Sequence, residues 1–282
     1  MNRRTALGLL LLAAGGCSRP QDGAKAPPRV RALLAAGHDF GESSGADEAF
    51  AWSELQRIAG LVRQVLREAP APPPAVALSR VLFTTLGFVR DVEDTELAFV
   101  LVPSVLRRRR GSCVGLGSVY LALSEVLGIP SAGVLLPGHF FVRVSEQGRQ
   151  RNVELLRQGE AMPDSWYHER YPIPGGQVSA YDRPLSADEV LGVIEYDIGN
   201  QRRRQGRPHD ARRAYQRAVR HFPEFAEAHA SLGAVHHLLG ALDAAEAAYR
   251  AAEHANPWLP RLAGNIELLD KERARGVDSG TR

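Results

Sequence analysis

The last third of the chain contains an internal repeat, which limits its fold more than any other feature of the sequence. At an offset of 34 residues six positions match: Gly199 with Gly233, Gly206 with Gly240, Ala211 with Ala245, Tyr215 with Tyr249, Ala218 with Ala252 and Pro223 with Pro257. A period of this length is typical of stacked supersecondary units that bury their apolar faces against their neighbours. Small residues fit where two helices of a hairpin cross, and a proline ends the second helix. The repeat therefore predicts an all-α tail of paired helices.

Over residues 192–259 this pattern resembles tetratricopeptide repeats. We expect the repeat segment to cover residues 186–276, with a capping helix at 260–275 around LAGNIELL and a disordered tail at 277–282. The resemblance implies that the repeats bind a protein or peptide ligand. Two repeats rarely stand alone, so we expect the first one to pack against the upstream domain.

The upstream segment, residues 45–185, has the pattern of an α+β domain. Apolar residues recur at a helical period over 47–68 and stop at the proline-rich APAPPPA, and further helical sequence fills 76–106. The stretch RRRRGSCVGLGSVYLALSEVLGIP then predicts a helix that begins close to Cys113. After it, SAGVLL, HFFVRV and RNVELL predict antiparallel strands with a hairpin tip at 146–148.

The position of Cys113 makes it a candidate nucleophile. Unpaired N–H groups and the dipole at a helix N-terminus favour a thiolate, but a nucleophile also needs a base and an acceptor that orients the base. His139 opens the second strand after a Pro-Gly turn. Hairpin registers that pair residues summing to 293 or 295 place Glu154 on the same face as His139. Asn152 has the same parity and is the alternative third member.

These residues resemble the transglutaminase-like cysteine enzymes, most closely their SirB branch. The resemblance rests on RRRRGSCVGLGSVYLALSEVLGIP, LLPGHFFVRV and NVELLRQGE. It implies a transglutaminase-like (papain-like) core with an antiparallel sheet, Cys113 as nucleophile, His139 as base and Glu154 where the family more often has aspartate. The implied activity is acyl transfer or hydrolysis at an amide or peptide bond, without a cofactor. The alternative is a catalytically silent adaptor that binds peptide or protein.

The first seventeen residues, MNRRTALGLLLLAAGGC, predict an export signal. Gly15 and Gly16 before Cys17 resemble a bacterial lipoprotein box, in which the cysteine is acylated; an ordinary secretory signal cut near Cys17 is the alternative. The Arg3-Arg4 pair leaves twin-arginine export open. Residues 18–44 are expected to form a tether. We therefore expect an exported cell-envelope protein that is lipid-anchored to a membrane facing the periplasm or exterior, with Cys113 as a free thiol.

Charge and motif patterns argue against other functions. The net charge of +3 comes from 35 basic and 32 acidic residues, and no aromatic-interleaved basic module surrounds the arginine run 107–110, which speaks against nucleic-acid binding. The histidines at 229, 236, 237 and 254 lack the spacing of a metal site. GLGSVY lacks the third glycine of a dinucleotide motif. The aromatic segment WYHERYPIPGG at 166–176 is interpreted as a structured connector, with the flank of a substrate cleft as the alternative.

Overall fold

The computed structural model describes residues 25–90, 96–176 and 178–279. In chain order its helices are α1 (Pro28–Ala35), α2 (Gly45–Val65), α3 (Pro74–Ser79), α4 (Val102–Arg108), α5 (Cys113–Leu127), α6 (Asp164–Arg170), α7 (Ala187–Arg204), α8 (Pro208–His221), α9 (Ala226–Leu238), α10 (Leu242–Ala255) and α11 (Leu262–Ser279). The strands are β1 (Val89–Arg90), β2 (Arg110–Gly111), β3 (Ser131–Leu136), β4 (His139–Glu146), β5 (Arg149–Glu154) and β6 (Glu160–Met162). A π-helical segment, Arg80–Thr85, continues α3, and short 3₁₀ turns occupy His38–Phe40, Leu97–Phe99 and Leu155–Arg157. The predicted α+β class is confirmed.

The predicted tether at 18–44 is wrong for residues 28–35, which form helix α1. Helix α1 lies inside this range and buries Val30, Leu33 and Leu34. Their i, i+3, i+4 spacing puts all three on one face, which packs against α2, α4, α5 and α7. The N-terminal signal, the Arg3-Arg4 pair and Cys17 lie outside the described residues.

Helix α5 is the central helix of the first domain. It begins at Cys113, ends at a left-handed Gly128 and buries eleven of its residues, Val114 to Ser124 without a break. A helix that is apolar on all sides belongs in a core rather than at a surface. Helices α1, α2 and α4 and strands β3 and β4 all pack against it. Cys113 is therefore held at one end of the most buried element of the domain.

The sheet is a four-stranded antiparallel meander in the order β3-β4-β5-β6. Phe140, Val142 and Val144 of β4 point into the main core, while Phe141 packs on the opposite face with Tyr167. The antiparallel sheet agrees with the sequence prediction. Two details differ: β5 ends at Glu154 because a 3₁₀ turn follows it, and β6 was not predicted.

The tail consists of the predicted helix pairs, α7 with α8 and α9 with α10, followed by α11. An added Cβ at Gly199 would lie 2.4 Å from the ring of Tyr215, and one at Gly233 would lie 2.5 Å from the ring of Tyr249. The two glycine–tyrosine contacts are 34 residues apart, so the repeat seen in the sequence is a repeat of one helix-crossing contact. The expected disordered tail at 277–282 is wrong for 277–279, whose backbone continues α11. Residues 280–282 lie outside the described residues.

The first repeat shares its hydrophobic core with the first domain. Side chains from α7 and α8 belong to the same buried cluster as those of α1, α5 and the sheet; they are Val190, Val193, Ile194, Ile198, Ala214 and Ala218. The buried guanidinium of Arg202 donates to the carbonyl of Phe40 and to the carboxylate of Glu42 across this boundary. None of the described helices combines the length and apolar character of a membrane span.

Candidate active site

Cys113 is the first residue of α5. The hydroxyl of Ser112 caps the helix by accepting a hydrogen bond of 3.1 Å from the N–H of Gly115. An added Cβ at Gly115 would lie 2.0 Å from the carbonyl oxygen of Phe99, and one at Gly117 would lie 2.5 Å from the ring of Phe140. Gly115 therefore lets the first turn of α5 sit against the 3₁₀ turn Leu97–Phe99, and Gly117 lets the same helix sit against the start of β4. The glycine pattern in GLGSVY therefore serves helix packing.

His139 and Glu154 form a buried pair at the end of the sheet. The Nε2 atom of His139 lies 2.8 Å from Oε2 of Glu154, and the two side chains are 2% and 1% exposed. The other carboxylate oxygen, Oε1, accepts a hydrogen bond of 2.9 Å from the N–H of Leu156. Each oxygen of Glu154 therefore has a partner, and the imidazole is fixed through one ring nitrogen.

The strand register explains why a glutamate meets this histidine. Strands β4 and β5 pair Val142 with Val153, so paired residue numbers sum to 295. Glu154 is consequently a diagonal neighbour of His139 on the same face rather than its direct partner. The additional methylene of glutamate, compared with aspartate, gives the carboxylate reach along that diagonal.

Asn152, the alternative third member, lies elsewhere in the structure. It stands opposite Arg143, and its Oδ1 accepts a hydrogen bond of 2.8 Å from Nε of that arginine. Its amide nitrogen donates to Asp164 at 2.7 Å and to the carbonyl of Met162 at 3.3 Å. Asn152 thus belongs to a polar cluster that ties β5 to the start of α6, and it does not contact His139.

Two tyrosines complete the surroundings of the imidazole. The ring of Tyr171 stacks on His139 with a centroid distance of 4.1 Å and an angle of 4° between the planes. Tyr167 lies farther away, at 6.0 Å, and its buried ring also stacks on Phe141. Burial first, and then the charge of Glu154, raise the pKa of both phenols. The segment 166–176 therefore flanks the site as well as connecting the domains; its aromatic density was the signal for this in the sequence.

Cys113 and His139 line a single cavity of about 360 Å³. One side of it comes from the first domain, through the start of α5 and the β3–β4 turn. The other side comes from the repeats: Val193, Tyr196, Asp197 and Arg204 of α7, then Phe225 and Glu227 at the start of α9. The cavity therefore lies at the boundary between the two halves of the molecule.

Two parts of the chain match protein-family models. Residues 51–186 match the model described as transglutaminase-like superfamily. This part of the chain is a transglutaminase-like domain. Residues 196–258 match a tetratricopeptide-repeat model, so the tail contains such repeats. Cys113, His139 and Glu154 all lie within the transglutaminase-like match.

A search of curated proteins returned no match. Among solved structures, the chain is similar to a crystal structure of menin whose title says that it reveals the binding site for Mixed Lineage Leukemia (MLL) protein. The identity is 11% and the TM-score 0.39, over 82% of this chain and 67% of the menin chain. A score of this size does not establish a common fold.

The thiol of the transglutaminase-like domain does not ionise as easily as its helix position predicts. Burial raises the pKa of Cys113 to about 11, and the negative charge of Asp197 adds to this effect. Backbone N–H groups of Phe140 and Val114 donate to the sulfur and act in the opposite direction. The resting site therefore holds a protonated thiol at neutral pH.

No group of three or more metal-ligating side chains occurs within 25–90, 96–176 and 178–279.

Proposed function

We propose that the protein is a cysteine enzyme that transfers or hydrolyses an acyl group at an amide or peptide bond. Cys113 is the nucleophile, His139 the general base and Glu154 the residue that orients the imidazole. The observation that carries the proposal is the buried His139–Glu154 pair, 2.8 Å apart, on the cavity that Cys113 lines. Because Nε2 of the imidazole is held by Glu154, Nδ1 is the nitrogen that remains for Cys113.

The reaction begins with a proton transfer from the sulfur to His139. The thiolate attacks the amide carbonyl carbon, and the tetrahedral intermediate collapses when His139 returns that proton to the leaving amine. The product is a thioester on Cys113. Water then releases a carboxylic acid, or a second amine forms a new amide, and in either case the sulfur leaves and regains a proton. Because the pKa of the thiol is raised, the sulfur needs a base that removes its proton before the attack.

The repeats are proposed to bind a protein or peptide partner and to present it to this site. Tetratricopeptide repeats generally mediate protein–protein interaction, and here helices α7 and α9 supply one wall of the cavity. A segment bound along the repeats would therefore have a short path to Cys113.

Labelling of Cys113 with iodoacetamide at pH 7.5 tests the enzymatic proposal. The variant His139→Ala should label at least about tenfold more slowly than wild type, since general-base assistance is worth that much or more. The matched control is His254→Ala, which alters an exposed histidine on α10. Equal labelling of wild type and His139→Ala would overturn the proposal.

The second candidate function is a silent adaptor that uses the cavity and the repeats for binding alone. The observation in its favour is the raised pKa of the Cys113 thiol, because such a sulfur is poorly nucleophilic without help. Labelling that is slow in wild type and insensitive to His139→Ala supports the adaptor.

We further propose that the protein is exported and anchored through lipid on Cys17. The support is the sequence pattern of residues 1–17. Expression of wild type and Cys17→Ser followed by membrane fractionation tests it. Wild type should sediment with membranes and the variant should be recovered in the soluble fraction; identical fractionation would contradict the anchor.

A further inference from the structure

The repeat side of the cavity carries charged groups that the proposed reaction does not use. Positions 193, 197 and 204 of α7 lie on one face of that helix, and this face presents Asp197 and Arg204 to the cavity. Glu227 enters from the first turn of α9. Two carboxylates and one guanidinium therefore share a cavity with the candidate nucleophile.

Glu227 is only half satisfied within the protein. Its Oε1 accepts a hydrogen bond from the hydroxyl of Tyr181, but its Oε2 is buried and has no hydrogen-bond partner among the described residues. An unpaired buried carboxylate oxygen is costly, so such atoms call for an explanation. A donor brought by a ligand would supply the missing bond.

The charges around Glu227 indicate the kind of donor. The positive charge of Arg204 lowers the pKa of Asp197 and so partly offsets the effect of burial on that carboxylate. Burial raises the pKa of Glu227, and the opposing contributions come from the Tyr181 hydroxyl and a backbone N–H, with no basic side chain of the described residues among them. The carboxylate of Glu227 is therefore the one on this wall without a cationic partner.

We propose that this wall is a subsite for a cationic group of the substrate. An ammonium or guanidinium group donates to Oε2 of Glu227 while a nearby amide carbonyl of the same molecule lies at Cys113. The inference rests on the proposed function, because it names the substrate class of that site. The bound cation is a recognition group and not the attacking amine, since a protonated amine has no lone pair with which to attack a thioester. The cavity of about 360 Å³ has the size of a small-ligand site.

Three methanethiosulfonate reagents of different charge test the subsite without knowledge of the substrate. In each case the Cys113 sulfur attacks the sulfenyl sulfur, a disulfide forms, methanesulfinate leaves and the thiol proton goes to solvent. The probes are the cationic 2-aminoethyl, the neutral methyl and the anionic 2-sulfonatoethyl compounds. Each rate is measured on the full chain by mass spectrometry of the peptide that contains Cys113, and is divided by the rate of the same reagent with free 2-mercaptoethanol.

Wild type should react with the cationic reagent about tenfold or more faster than with the neutral one, and slowest with the anionic one. In Glu227→Gln, which keeps an acceptor for Tyr181, the preference for the cation should fall at least fivefold. Glu224→Gln is the matched control, because Glu224 is exposed and pairs with Arg183 outside the cavity. It should keep the wild-type preference.

A wild-type protein without preference for the cation would overturn the subsite whether or not the variants fold. An unchanged preference in folded Glu227→Gln would do the same. Failure of the enzymatic proposal looks different: the neutral reagent would then label wild type and His139→Ala equally, while the charge preference could still be measured.

Discussion

At the scale of single residues, Glu154 shows how a small change in side-chain length is accommodated. Its carboxylate reaches His139 along a diagonal and also accepts the N–H of Leu156. The sequence predicted the shared face, because every odd register places residues 139 and 154 on the same side. It left two registers open. The tip decides between them: Gln147 and Gly148 both have positive φ, at 51° and 73°, as a two-residue type I′ turn requires.

Removal of the Asp197 charge should make Cys113 easier to ionise. The pKa of Asp197 is raised to about 7 by burial, so above that pH its carboxylate is charged and opposes the thiolate. In Asp197→Asn the neutral methyl methanethiosulfonate should label Cys113 about three- to tenfold faster at pH 8. Below pH 6 both proteins hold a neutral group at this position, so their rates should converge. The pH profile of the labelling rate measures this.

The control for this prediction is Asp188→Asn. Asp188 lies on the first turn of the same helix but outside the cavity, with its side chain 77% exposed. It should label at the wild-type rate across the pH range. A rate ratio between Asp197→Asn and wild type that stays constant from pH 5.5 to 8.5 would contradict the electrostatic account.

At the scale of secondary-structure elements, the contact between α5 and β4 brings Cys113 and His139 to one place. The sequence predicted both elements, but it could not show that Gly117 packs directly against the ring of Phe140. Helix α1 was missed for a related reason. Three buried apolar residues in an eight-residue helix give too short a pattern, and the surrounding prolines and glycine pointed to a tether.

Gly117→Ala should destabilise the fold. The added methyl group would lie 2.5 Å from the ring of Phe140, which is itself fully buried, so overpacking should cost about 1–3 kcal/mol in the free energy of unfolding. Gly60→Ala in α2 is the same substitution in open space, with nothing within 4 Å of the new methyl group. Because alanine is the better helix former, it should stabilise the protein by about 0.5–1 kcal/mol. Urea unfolding followed by circular dichroism measures both changes in stability. If both substitutions stabilise the protein, or both destabilise it, this account of the packing is contradicted.

At the scale of the whole molecule, the first repeat is part of the transglutaminase-like domain's core. The sequence predicted that this repeat packs against the upstream domain. It could not predict that α7 and α9 form a wall of the candidate site, because those residues are separated from Cys113 by 80 or more positions and no periodic pattern links them. The packing of α7 against α5, α1 and the 3₁₀ turn Leu97–Phe99 brings them together.

A chain that ends at residue 185 should therefore lose cooperative folding. It would expose the apolar surface that Val190, Val193 and Ile194 cover in the intact core. A chain that ends at residue 260 is the matched truncation, since it removes α11, whose buried residues Leu262 and Leu269 belong to a separate cluster. Thermal unfolding should show a clear transition for the longer fragment and none for the shorter one. An unfolding midpoint for the 185-residue fragment equal to that of the full chain would contradict the shared core.

The central claim is that Cys113, His139 and Glu154 act as one chemical unit, and a double-mutant cycle tests it most directly. Iodoacetamide labelling rates of Cys113 at pH 7.5 are compared for wild type, His139→Ala, Glu154→Gln and the double variant. Each single change should slow labelling about tenfold or more, and the double variant should be no slower than His139→Ala, because Glu154 acts only through the imidazole. If the two effects multiply in the double variant, or if either single variant labels at the wild-type rate, the three residues do not form that unit.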